Sequence, residues 1–420
     1  MRTWLIHLGE LLSIDEDARL FRYGILAKML AERGHLVTRW APTFVHAYKE
    51  HRSACDRTVE VSDNYRIKLL HAKGYQDNVS LARIRFHREM ARKFAQSAES
   101  EAVPDLILSG MPTPGMCLAA TRYAKRHDVT IVIDVRDLWP DIYLTLVPAW
   151  ARTLARTMLW PAFVTNYRIF SQADGILGVS KSYLDWGLSF AGRERSEADA
   201  VFPLGHSDIQ VSQDQSMREM ENLQNSGVDP DKLICCFFGQ FEKTYDLETV
   251  IDAAGALERS GDDSIQFVLC GDGKKMPDLR CQASDLKNVV FPGWVSHSTI
   301  DVLMSISDVG LAAYSEGAPQ SLPNKPIDYF AGGLPVLSSL RSELDQILIQ
   351  NNCGMLYEVG DPDSLVDSVC YLRDNPRERL QMGRNARQLF EQRFSADQVY
   401  PKMIEHLELI ANGELVKDDE

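Results

Sequence analysis

The chain has few of the features that mark a specialised protein class. Its eight cysteines form no CxxC pair and no ligand-like spacing with histidine, which argues against a zinc site and a disulfide framework. Cys235, Cys236 and Cys270 lie inside apolar runs and read as small core residues in a reducing compartment. No uncharged apolar run reaches the roughly 18 residues that a spanning helix needs. The opening stretch MRTWLIHLGELLSIDE is interrupted by Glu10 and Asp15, which argues against a secretory leader. Internal repeats and low-complexity tracts are missing. A cytoplasmic protein is expected. Basic charge is scarce as well: 45 Lys and Arg stand against 59 Asp and Glu, a net charge of −14 that disfavours nucleic acid as a partner. The shortage is uneven. Residues 1–205 carry 27 basic and 23 acidic side chains, whereas residues 206–420 carry 18 and 36.

What remains is an ordinary globular composition, 45% hydrophobic and 25% charged, in a 420-residue chain too long for one core. Apolar runs alternate with helical patterns. Strands are expected at Thr3–Leu8, Leu36–Trp40, Asp105–Ser109, Val129–Asp134 and Gly175–Val179, with helices at Arg19–Arg33 and near Cys117–Arg126. The polar stretch 192–231 breaks the rhythm. A second series follows, with strands at Leu233–Phe238, Ile265–Cys270, Val289–Phe291, Val309–Ala313 and Leu334–Ser338, and helices at Leu247–Arg259 and near Lys325–Ala331. This is an α/β pattern of two Rossmann-like, doubly wound domains facing a cleft. The expected division is an N-terminal domain over 1–203, a linker over 204–231 and a C-terminal domain over 232–389. A final helix at about 390–412 is available to pack back on the first domain.

In such sheets ligands bind beyond the carboxyl ends of the strands. Gly239 follows the strand LICCFF and precedes Lys243, which can meet a phosphate as a point charge; a glycine turn with a solvated lysine is the plain alternative. Gly271-Asp272-Gly273 follows the next strand and reads the same way. The stretch EGAPQSLPNKPIDYFAGGLPV, Glu316–Val336, is a Pro- and Gly-rich loop entering a short helix, with Gln320 and Asp328 bracketing it. Loop amides and a helix start between two polar side chains suit a diphosphate.

The run DYFAGGLPV resembles the E-A-x-A-x-G-x-P-V segment of the retaining family 4 glycosyltransferases. So do the GDG loop and NVVFPGWV at Asn288–Val295. RGHLVT, DVRDLWPD at Asp134–Asp141, ADGILGVS and PNKPIDY extend the resemblance over most of the chain, towards bacterial transferases that add aminosugars to O-antigen or capsule repeats. The resemblance implies the GT-B architecture and retaining transfer of a sugar from a nucleotide diphosphate donor, a UDP-sugar favoured, with no metal and no further cofactor. It places the family's Glu-x7-Glu pair at Gln320, for the sugar hydroxyls, and Asp328, for the ribose. Both depart from glutamate, and Glu316 is an alternative for the first. Ser321, Leu322, Asn324 and Lys325 line the same loop, Lys243 and Lys325 are the diphosphate cations, and Trp294 and Val295 fall where the family binds the base.

On the N-terminal side, Gly9 and Glu10 close the first strand and are placed to approach the donor phosphates. Arg136 and Asp137 end the strand at Val129–Asp134, where relatives carry a functional histidine; a structural ion cluster with Asp134 and Asp141 accounts for them equally. Arg136, Asp137, Lys243 and Gln320 are the catalytic candidates. Leu144–Phe170 is rich in Leu, Trp and Phe, and its charges are Arg152, Arg156 and Arg168. It suits an interfacial helix on an anionic membrane or, equally, a buried helix pair. The acceptor expected is a glycan or polyprenyl-pyrophosphate-linked sugar at the inner face of the cytoplasmic membrane. A small soluble acceptor, a sugar epimerase and an inactive partner-binding subunit stay open as alternatives.

Overall fold

The computed structural model describes residues 1–15, 19–46, 48–77, 80–145, 147–207 and 211–415. The chain forms two compact units: Met1–Gly205 together with the chain from Ala396 onward, and His206–Ser395.

The first unit is built on an eight-stranded sheet. Its strands run in the order Ala200–Val201, Gly175–Gly178, Thr130–Val135, Leu106–Gly110, Arg2–Ile6, Leu36–Pro42, Tyr65–Leu70 and Arg57–Ser62. All pair in parallel except the last, which runs antiparallel to its neighbour. Successive side chains go to opposite faces, as the period of two demands. Trp4, Ile6, Ile107, Ile131 and Ile133 feed one core, while Leu5, Leu106, Leu108 and Val132 feed the other. The final helix, Ala396–Ala411, contributes Val399, Tyr400, Met403, Ile404, Leu407 and Ile410 to that second core.

The second unit carries a six-stranded parallel sheet in the order Val289–Gly293, Ile265–Cys270, Leu233–Phe238, Val309–Ala312, Val336–Ser338 and Gly354–Leu356. Both sheets are doubly wound, with helices on two faces. In the first the strand order reverses between Arg2–Ile6 and Leu106–Gly110, and in the second between Leu233–Phe238 and Val309–Ala312. At such reversals the loops diverge and leave a crevice. All eight cysteines are free, and burial pushes the Cys236 thiol up to about 12.

Three elements differ from expectation. The region expected as a linker holds the helix Gln213–Asn225, started by Ser212, whose Oγ accepts the Gln215 N–H. It buries only Leu223, so its sequence lacks the apolar stripe that announces a helix. The segment after Pro42 forms a hairpin, Phe44–Val45 with Glu50–His51, and then the edge pair Arg57–Ser62 and Tyr65–Leu70. Leu144–Phe170 is a broken path rather than one helix: a 3-10 turn at Ala149–Ala151 precedes the helices Arg152–Met158 and Trp160–Phe170. Phe163, Ile169 and Phe170 are buried, whereas Trp150 (85%), Met158 (75%) and Trp160 (64%) stand exposed. Among the described residues no helix is long and apolar enough to cross a membrane.

Candidate functional site

The reversal in the second sheet brings together the loop after Phe238 and the loop after Ala312. They are joined directly: Tyr245 and Tyr314 form an antiparallel bridge, the Ser315 N–H donates to the Thr244 carbonyl, and Ser315 Oγ donates to the Lys243 carbonyl at 2.8 Å. Into this junction comes Lys325, from the helix Asn324–Ala331. Its ammonium donates to Tyr245 Oη, lies 4.0 Å from the Tyr245 ring centroid and 5.2 Å from that of Phe237. Gly239 has φ +141°, and a Cβ there would meet Lys325 Cε at 2.5 Å. The glycine therefore makes the seat for the lysine. A cation held over aromatic rings at a strand's carboxyl end is suited to a phosphate.

The glycines do not form the amide cradle expected from the sequence. The Gly239 N–H donates to the Cys270 carbonyl at 2.9 Å and the Gly271 N–H to the Gly293 carbonyl at 2.7 Å. A Cβ on Gly271 would lie 1.8 Å from the Gly239 oxygen, and one on Gly273 2.6 Å from the Phe241 oxygen. Loop-to-loop packing is what requires them. Nor does the helix Leu247–Arg259 present an open positive end. Asp246 caps it, its carboxylate accepting the Thr249 N–H and hydroxyl and the Gly360 N–H.

The motif loop places its residues unequally. Gln320 is half-buried, and its Oε1 is buried with no hydrogen-bond partner among the described residues, an acceptor suited to a hydroxyl ligand. Ser321 is buried, and its carbonyl accepts from Ser342 Oγ at 2.7 Å; Leu322 is half-buried. Asp328, expected at the ribose, is only 7% exposed and lies 2.7 Å from His206 Nδ1. The other ring nitrogen of His206 lies 3.3 Å from Asn324 Oδ1. Two residues expected to face the donor are thus engaged by a histidine that no sequence motif announced. Glu316 and Lys243 are exposed, and their charged groups bond nothing among the described residues. Trp294 is 72% exposed; with Val295, Glu219 and Asn222 it lines a hollow of about 280 Å³ between the Gly293 turn and the helix Gln213–Asn225.

In the first unit the reversal is filled. The Glu10 carboxylate accepts from Arg136, from the Tyr23 N–H at 3.0 Å and from Arg39 at 3.4 Å. Arg136 holds it down to about 2 against burial, with His7 and Arg39 helping. His7 is driven to about 3 by burial and by Arg136, and its Nδ1 accepts the Gly9 N–H at 3.3 Å. Arg22 grips Asp134 through two bonds of 2.8 and 2.9 Å and donates to the carbonyls of Phe202 and Pro203. Glu10 and Arg136 are thus bonded to each other at the end of the first strand, and Asp134 is bonded to Arg22. Asp141 accepts from Trp186 Nε1 at 2.9 Å. Asp137 stands apart from this network: burial raises its carboxyl, which accepts only the adjacent Leu138 N–H among the described residues.

Residues 219–389 match the family model of the group 1 glycosyl transferases. No curated protein sequence matches the chain. Several solved structures share its fold end to end. Sucrose-phosphate synthase from Thermosynechococcus elongatus superposes with a TM-score of 0.72 at 16% identity, covering 98% of this chain and 99% of its own. Anabaena HepE, solved in complex with UDP, gives 0.66 at 15% identity over 97% and 100%. WaaG, a glycosyltransferase of lipopolysaccharide biosynthesis, gives 0.64 at 14% over 97% and 99%. At these identities the likeness is one of fold. Residues 219–389 thus resemble the group 1 glycosyl transferases, within a chain whose fold is that of GT-B structures.

Proposed function

We propose that the protein is a retaining, metal-independent glycosyltransferase. It moves a hexose or aminosugar from a nucleotide diphosphate sugar, a UDP-sugar favoured, to a glycan or polyprenyl-pyrophosphate-linked acceptor in bacterial surface-polysaccharide assembly. The observation that carries the donor half is Lys325, seated by Gly239 between the Tyr245 and Phe237 rings at the sheet reversal. UDP in HepE and UDP-2-fluoro glucose in the E. coli trehalose-6-phosphate structure support the choice of nucleotide.

As the glycosidic bond breaks, negative charge builds on the leaving diphosphate. Lys325 and the exposed Lys243 stabilise that charge where it develops, by analogy with oxyanion-hole donors, which are worth roughly 3–4 kcal/mol each. Gln320 Oε1 accepts from a hydroxyl of the sugar. The departing phosphate oxygen takes the acceptor proton, so no pair of flanking carboxylates is needed, in contrast to hydrolases. Trp150, Leu154, Met158 and Trp160, exposed beside Arg152 and Arg156, would rest the first unit on an anionic membrane surface.

Calorimetric titration with UDP and GDP tests the donor site. Micromolar binding of UDP that Lys325→Met weakens at least about tenfold is the expected result. A chain that binds neither nucleotide is no transferase, and its fold then serves a partner. Co-sedimentation with anionic vesicles, reduced when Arg152 and Arg156 are neutralised, tests the membrane half; full solubility beside such vesicles at low salt rules it out.

A further inference from the structure

Three helices on one face of the first unit's sheet form a layer of nearly one charge sign. Leu81–Ala98, Pro114–His127 and Trp160–Phe170 pack side by side, the second touching both others. They send Phe86, Met90, Cys117, Tyr123, Ile169 and Phe170 into a common core. Together with the short helix Arg152–Met158 they carry eleven Lys or Arg and one acid, Glu89, in a chain of net charge −14. So much positive charge gathered on one layer of an acidic chain is turned towards an anionic counterpart.

Between the first two helices lies a hollow of about 530 Å³. Its floor is Ala91, Ala95, Leu118 and Ala119, and its rim carries Arg92, Arg122, Lys125 and Arg126. The rim cations are not alike. Lys125 lies 2.7 Å from Asp174, and Arg126 lies 2.7 Å from Glu99. Arg92 and Arg122 are exposed, and their guanidinium groups make no ion pair or hydrogen bond among the described residues. Two matched cations and two unmatched ones therefore border one apolar-floored groove. Arg85 and Arg88, exposed and likewise unpaired among the described residues, continue the row along the first helix towards exposed Leu81 and Ile84. At spacings of three and four residues these side chains share one helix face. On the other flank the layer exposes Trp160.

We propose that this groove is a lipid-headgroup seat, in which Arg92 and Arg122 clamp the phosphate of an anionic glycerophospholipid while the first methylenes of an acyl chain lie on Ala91, Ala95, Leu118 and Ala119. It rests on the membrane half of the reading above and names the partner's chemistry. Guanidinium groups match phosphate oxygens in bidentate pairs. An inorganic phosphate would leave the apolar floor in water, and a neutral glycan would leave the arginines unmatched. A phospholipid brings an anion and an apolar chain at once, beside exposed apolar side chains suited to the same interface.

The full chain is titrated with short-chain dihexanoyl phosphatidylglycerol below its micelle concentration, with inorganic phosphate, and with phosphatidylcholine vesicles containing phosphatidylglycerol. The short-chain lipid should bind, and inorganic phosphate should bind at least about tenfold more weakly, since it leaves the floor uncovered. Arg92→Gln and Arg122→Gln should each weaken both lipid arms about fivefold. Ala95→Trp, which fills the groove without changing charge, should abolish short-chain binding; Ala119→Trp fills it from the opposite helix and keeps the test available if the first variant disturbs the fold. A native chain that ignores the short-chain lipid, equal binding of inorganic phosphate, or lipid binding that survives these variants within about twofold overturns the seat. Vesicle binding lost on neutralising Arg152 and Arg156 yet unchanged in the groove variants also overturns it, and leaves the membrane reading standing. Short-chain binding that the groove variants abolish, without any vesicle binding, keeps the seat and removes the membrane reading.

Discussion

The two sheet reversals of this chain show opposite uses of charge. In the first unit, the crevice between Arg2–Ile6 and Leu106–Gly110 holds His7, Glu10, Arg39 and Arg136, joined through Glu10 and Arg136, while Nε and Nη1 of Arg39 are buried without a partner among the described residues. In the second, the equivalent crevice holds a lysine over two rings. One crevice is built of two arginines sharing the Glu10 carboxylate, the other of a lysine resting on aromatic rings, so position in the topology alone does not tell the two arrangements apart.

The largest break in this contrast should come from Asp134→Ala. It strands Arg22, buried with 0% side-chain exposure, and removal of one partner from such a pair typically costs about 3–5 kcal/mol. Calorimetry should show the melting of the first unit fall by many degrees, while UDP affinity of the surviving folded protein changes little. Lys325→Met should behave in the reverse manner. Loss of a charge-assisted contact predicts about a 10–100-fold weaker UDP affinity, with a melting temperature close to that of the native chain. A large stability loss in Lys325→Met would place that lysine among the structural ions.

Acidification sharpens the comparison less severely. The histidines whose pKa burial depresses, His7, His46, His51, His87 and His406, all belong to the first unit. Their unfolded forms take up protons near 6.5 while the folded forms do not, so stability declines as pH falls below that value. For His7 the decline continues to about 3. Glu10, held near 2 against 4.5 when unfolded, adds stability that is present above 4.5 and disappears as pH falls towards 2. The first unit should therefore unfold ahead of the second between pH 6.5 and 4, read by tryptophan and calorimetric transitions; simultaneous unfolding at every pH would contradict this. The smallest effect expected is that of Asp246→Ala. Loss of the cap should cost the second unit about 1 kcal/mol, measured by denaturant titration.

The parallel strands were legible because they are buried on both faces and appear as continuous apolar runs, as in LICCFF. Arg57–Ser62 was not, since it is an edge strand without a buried residue. The helix Gln213–Asn225 escaped because it buries Leu223 alone and so shows no apolar stripe. In the candidate site, the polar loop around Gln320 and Lys325 stood out by its composition, while the roles given to the two residues came from the family resemblance. The purpose of Gly239, Gly271 and Gly273 was not legible, because it depends on which loops touch after folding. His206 beside Asp328 was hidden likewise, the two being joined only through the tertiary fold. The contact between Glu10 and Arg136 was not legible, because a strand-end charge looks the same in sequence whatever it meets after folding.

The helix Ala396–Ala411 has a consequence for the order of events during synthesis. The first unit begins with residue 1 but takes seven core side chains, Ala396, Val399, Tyr400, Met403, Ile404, Leu407 and Ile410, from the far end of the chain. Its sheet emerges from the ribosome with one apolar face covered only in part, by the helix Arg22–Glu32, and the intervening segment must be translated before the rest of the cover arrives. At about 5–20 residues per second the delay is on the order of ten to forty seconds, long enough for the second unit to fold first. A chain ended at Ser395 and released should accordingly hold a finished C-terminal unit and an N-terminal one that still recruits chaperones.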